Sequence, residues 1–211
     1  MRFLIDPDSK IMQFISRITD IVVLNVMFLL TCLPVFSIGA ANTALYDTVF
    51  RMDTEREGKL LSTYFHAFRK NFRQSTAIWL GLLLFGVATY VNMTRFSDIG
   101  GTLGYFLFLV SMLVALVLVL IFSYVFPLLS QFRNSTRQTL VNALLLSVAH
   151  LPRSILIAVI NCFPWALLLM NLYAFARLAC LWFFLYFSAA AYFNSRVLYK
   201  VFAPYREQGK Q

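Results

Sequence analysis

The 211 residues are 60% hydrophobic and only 13% charged, where ordinary soluble domains run near 45–50% apolar and about 25% charged. A water-soluble domain of this size could not hide such an excess, because much of any small domain stays at its surface, whereas lipid tails solvate an apolar exterior. The net charge of +9 clusters beside the apolar runs, which assigns it to membrane topology and anionic headgroups and excludes a nucleic-acid partner.

The opening segment, MRFLIDPDSKIMQFISRITD, is mixed and charged, and no cleavable secretory signal follows it. The first apolar run, 18–36, contains only Asp20 and Asn25 as strongly polar interruptions. Pro34 and Gly39 then mark a helix break, since proline disfavours helix at the residue before it and glycine permits a turn. The next apolar segment, 38–52, carries Asn42, Thr43 and Asp47. At about 1.5 Å per residue it reaches only about 22 Å, short for a full crossing. After the polar stretch RMDTEREGK, the segment LLSTYFHAFRKNFRQS places Leu61, Phe65, Phe68 and Phe72 at helical spacing, with Arg69, Lys70 and Arg73 largely off that stripe. Such a basic amphipathic helix suits a membrane surface or a partner protein.

A span at 76–93 follows, with Ser75 placed to cap it. The run 102–130 has the longest apolar core, enough to tilt or project from the bilayer, and Pro127 lies near its end. A second amphipathic segment presents Leu140, Val141, Leu144, Leu145 and Val148. Pro152 ends it, and Ser154 is placed to cap a span at 155–170. The last span is 178–193, followed by the basic tail NSRVLYKVFAPYREQGKQ.

The fold class is therefore all-α: a polytopic transmembrane bundle with five full spans, one short or re-entrant helix, and two cytoplasmic amphipathic helices, in a single integral membrane domain, 1–211. Positive charge is retained on the cytoplasmic side. If 38–52 counts as a crossing, both termini are cytoplasmic, and 16 of the 18 Lys and Arg residues lie inside, with only Arg95 and Arg177 outside. Without that crossing the best division is 13 against 5. The six-element arrangement follows. Aligning Ser75 with Ser154 also lays Leu61 over Leu140, Phe65 over Leu144 and Phe72 over Leu151, a weak parallel repeat relating about 38–93 to about 104–171.

No catalytic constellation is visible. His66 and His150 have no metal-ligand spacing to other donors, no nucleophile elbow or phosphate loop is present, and Cys32, Cys162 and Cys180 sit singly in apolar runs as small hydrophobes. The expectation is no enzyme, no cofactor and no metal. Ionisable groups at membrane depth are costly and mark functional candidates. Asp47 heads these, with Asn42 and Tyr46 beside it, though an i,i+4 pair of Asp47 with Arg51 is the plainer reading. Asn25, Asn42, Asn92, Asn161 and Asn171 read as interhelical hydrogen-bonding amides.

LPVFSIGAANTALYDTVFRM, followed by FHAFRKNFRQST, resembles the hallmark region of a bacterial membrane protein family, the YesL family. The matching residues are Leu33, Pro34, Ile38, Gly39, Ala40, Ala44, Leu45 and Tyr46, then Phe65, Phe68, Asn71 and Phe72. The resemblance implies a multi-pass protein of the bacterial cytoplasmic membrane. It also implies an accessory or regulatory role beside ATP-driven (ABC-type) carbohydrate uptake, with transporter subunits and the lipid bilayer as partners. The family supplies no site residues to carry over. A stand-alone small-molecule permease, with Asp47, Asn42 and Tyr46 lining its path, is the competing expectation. Read without the family, Ala40, Ala41 and Ala44 offer a small-residue face on which helices pack closely.

Overall fold

Residues 10–52, 60–99 and 101–208 are described in a computed structural model, and every regular element among them is helical. In chain order these are α1 (Lys10–Cys32), a 3-10 turn (Val35–Ser37), α2 (Ile38–Arg51), α3 (Leu60–Ile99), α4 (Gly101–Gln131), α5 (Thr136–Ala149), α6 (Leu151–Met170), α7 (Leu172–Arg177), α8 (Ala179–Leu181), a π-helical stretch (Trp182–Tyr186) and α9 (Phe187–Gln208). Arg2 and most of the polar stretch before α3, Lys59 included, lie outside the described residues.

Among the described residues, four helices are long and apolar enough to cross a membrane: Ile11–Cys32, Leu60–Phe96, Gly101–Gln131 and Leu151–Met170. Their large apolar side chains face outward. Leu84 is 70% exposed, Leu113 62% and Leu169 87%. Water would penalise that surface, and hydrocarbon does not. This is a helical membrane protein.

The short segment at 38–52 holds the centre of the fold. Ten of the fourteen residues of α2 are buried, and α1, α3, α4 and α9 all pack on it. Small side chains explain the density, since Ala40, Ala41 and Ala44 are fully buried and bring neighbouring backbones close. Pro34, in extended conformation, does break the chain between α1 and α2. Gly39 does not make the turn expected of it; it lies within the first turn of α2. A Cβ there would sit 2.5 Å from the Ser75 carbonyl oxygen and 2.6 Å from Trp79 Cβ. The glycine is a point of close approach to α3.

Several boundaries differ from the sequence reading. The basic amphipathic segment and the span after it form one 40-residue helix, α3, because nothing between Leu60 and Ile99 breaks a helix. Ser75 is therefore internal and caps nothing; its hydroxyl meets that of Thr43 at 2.9 Å. Ser154 likewise lies inside α6, which begins at Leu151 with Pro152 in its first turn, where a missing N–H costs nothing. On α5 the buried side chains are Thr139, Ala143, Leu146 and Ser147, while Val141, Leu145 and Val148 point outward. The run at 178–193, expected as a span, is helix interrupted by the π-helical stretch and is not among those four long apolar helices. What read as a basic tail continues as helix to Gln208, with Leu198, Val201 and Phe202 almost wholly buried.

Candidate functional site

Four helices contribute one polar cluster in the bundle. Tyr46 of α2 accepts a hydrogen bond from Asn194 Nδ2 of α9 at 3.3 Å, and that amide also donates to Asn161 Oδ1 of α6 at 2.9 Å. Asn161 Nδ2 reaches Ser123 Oγ of α4 at 3.5 Å, and Ser123 donates to the Val119 carbonyl. Tyr46, Asn194 and Ser123 are buried. Side chains bonded this way tie helices together where neither water nor lipid offers a partner, each bond contributing about 0.6–2 kcal/mol.

A second cluster secures the π-helical stretch. Widening a helix frees backbone groups, and in a membrane each must find a partner. Asn25 of α1 supplies it. Its Nδ2 donates to the carbonyls of Trp182 at 3.1 Å and Phe183 at 2.6 Å, while its Oδ1 accepts from the Ser188 N–H at 2.9 Å. Aromatic rings surround this joint: Trp182 stacks on Phe175, meets Tyr186 edge-on at 4.6 Å, and donates through Nε1 to the Phe175 carbonyl.

Of the residues singled out from the sequence, Asp47 and Tyr46 are buried, and Asp47 pairs with Arg51 at 3.0 Å across one helical turn. The structure does not gather Asn42, Tyr46 and Asp47 into a shared polar path. Tyr46 joins the asparagine cluster, Asp47 takes Arg51, and Asn42 is half-buried. The break around Pro34 is closed by hydrogen bonds: Ser37 Oγ donates to the Thr31 and Pro34 carbonyls and Trp79 Nε1 to the Val35 carbonyl. Arg69, Lys70 and Arg73 are all exposed on α3. Among the amides, Asn25 and Asn161 bond between helices, Asn171 instead caps α7 through the Ala174 N–H, and Asn92 is exposed.

Asn194 was missed because it follows the last unbroken apolar run. The spacing of Leu198, Val201, Phe202 and Tyr205, a helical stripe past the supposed end, was the available signal.

Residues 21–93, about a third of the 211, match the family described as "Protein of unknown function, DUF624". That match spans the second half of α1, all of α2 and α3 up to Met93. It is a domain of uncharacterised proteins. No curated protein and no solved structure matches the chain.

Proposed function

We propose that the chain is an accessory or regulatory subunit of a carbohydrate uptake system of the ABC type, in the bacterial cytoplasmic membrane. The DUF624 match over the same segment that carries the YesL resemblance is compatible with this reading. One observation carries the preference for accessory subunit over permease: two of the three polar groups a permease would expose along a path are engaged by other side chains, Tyr46 by Asn194 and Asp47 by Arg51. What remains available is peripheral and cationic. Arg69, Lys70 and Arg73 are exposed with no carboxylate partner among the described residues, and form a surface that a cytoplasmic partner could read.

The proposed topology has six elements, α2 being the short one, with both termini and both basic segments cytoplasmic. A single domain over 1–211 and the parallel repeat belong to the same proposal. In the register that aligns Ser75 with Ser154, Tyr64, Ala67 and Ile78 fall on Ala143, Leu146 and Ile157, and all eight residues are buried. Shared burial over a shared spacing supports a repeated unit.

The test is purification from native membranes in mild detergent, followed by mass spectrometry. The expected result is co-recovery of transporter subunits, reduced when Arg69, Lys70 and Arg73 are changed together to Gln. Repeated recovery of this chain alone overturns the reading, and substrate flux into vesicles holding only this chain establishes the permease instead.

A further inference from the structure

A groove of about 380 Å³ opens where the end of α4, the connector to α5, α5 itself and the end of α9 meet. Its volume lies within the about 300–1,000 Å³ of small-molecule clefts. Leu128, Phe132 and Leu145 give it an apolar wall, and Asn134, Asn142 and Tyr205 add neutral polar groups. The apolar wall continues onto the outer face of α5, where Val141, Leu145 and Val148 are 48%, 61% and 53% exposed. The groove lies at the end of the candidate span Gly101–Gln131.

The chain beside it is cationic. Arg133 stands between the lining residues Phe132 and Asn134, and Arg137 follows on the first turn of α5. Both are exposed, and neither has a carboxylate partner among the described residues. Gln74 Nε2 donates to the Asn134 carbonyl at 2.9 Å, a contact the sequence does not reveal, and binds α3 to this connector.

We propose that this groove binds an anionic phospholipid, with acyl chain along Leu128, Phe132 and Leu145 and phosphate against Arg133 and Arg137. Charge complementarity selects the occupant: an apolar trough continuous with an apolar helix surface, beside arginines that have no carboxylate partner among the described residues, fits a molecule that is greasy at one end and anionic at the other. Guanidinium groups bind phosphate through paired N–H donors, and each basic residue near an anionic surface is worth about a five-fold gain in binding. The inference stands apart from the transporter partnership and survives if that fails.

The experiment uses the full chain in detergent, incubated with phosphatidylglycerol, phosphatidylcholine or inorganic phosphate, and reads retained ligand by native mass spectrometry together with the shift in unfolding temperature. Phosphatidylglycerol should be retained and stabilising, phosphatidylcholine less so, and phosphate without effect. Changing both arginines (Arg133→Gln with Arg137→Gln) should lower phosphatidylglycerol retention about 25-fold, five-fold for each, and leave phosphatidylcholine unchanged. Ala149→Trp, at an exposed position lining the groove, should lower retention of both lipids. Equal retention of the two lipids, stabilisation by phosphate alone, or indifference to both variants overturns the proposal. So does efficient cross-linking of Leu145→Cys between two copies, which assigns the face to a dimer.

Discussion

Two parts of this bundle use the same kind of sequence for different ends. Around α2, the stretch of α3 from Tyr64 to Ile78 and that of α4 from Leu120 to Leu129 are repeatedly buried. Beyond Ile78, α3 buries only Thr89 among its described side chains, and before Leu120, α4 buries only Gly104 and Ser111. These outer stretches of α3 and α4, about twenty residues each, reach about 30 Å at helical rise, the thickness of a bilayer's hydrocarbon core. Apolar content is high in both parts, so composition does not separate protein-facing from lipid-facing surface. Side-chain size does better: the packed part is built on Ala40, Ala41, Ala44 and Gly39, the outer part on Leu, Phe and Val.

The sharpest way to break this comparison is at the glycines. Gly39→Val would drive a side chain into the Ser75 carbonyl and Trp79, and should destabilise the fold by about 3 kcal/mol or more, seen as lost thermal stability in detergent. A mild effect would mean that α2 and α3 are not held so close. Leu113→Arg attacks the other part. Leu113 is 62% exposed, so in water the change would be worth within about 0.5 kcal/mol. In lipid it should raise the apparent insertion free energy by about 2.5–3.5 kcal/mol, measured in a translocon insertion assay.

Asn25→Leu comes next. It leaves the Trp182 and Phe183 carbonyls and the Ser188 N–H without the side chain that holds them, at a cost of about 1–3 kcal/mol. Unchanged unfolding temperature would remove Asn25 from its role at the π-helical joint. The smallest effect is expected at Gly86, where a Cβ meets nothing within 4 Å. Gly86→Ala should raise stability by about 0.5–1 kcal/mol through helix propensity alone, and a large loss there would show that the outer part is packed after all.

The helices and the membrane were legible from apolar runs, because a bilayer imposes length and composition directly. The Asp47–Arg51 pair was legible from its spacing. The partners of Tyr46 and Asn25 were not. Asn194 is 148 residues from Tyr46, and Trp182 is 157 from Asn25, and no local rule reports which distant helices meet. The amphipathic stripe of α3 did not report which of its residues face protein, for a related reason. Tyr64 and Ala67 are the buried residues there, while Leu61 and Phe65 are 47% and 42% exposed, because a membrane-proximal helix can turn apolar side chains to lipid as readily as to protein. Gly39 was read by its freedom to turn, and its value lies in the side chain it lacks.

The join between α3 and α4 is nearly no loop at all. α3 ends at Ile99 and α4 begins at Gly101, whose φ of +66° is a left-handed conformation that glycine adopts without strain. With one residue between them and helix packed on helix, a tilt of α3 is coupled to a tilt of α4.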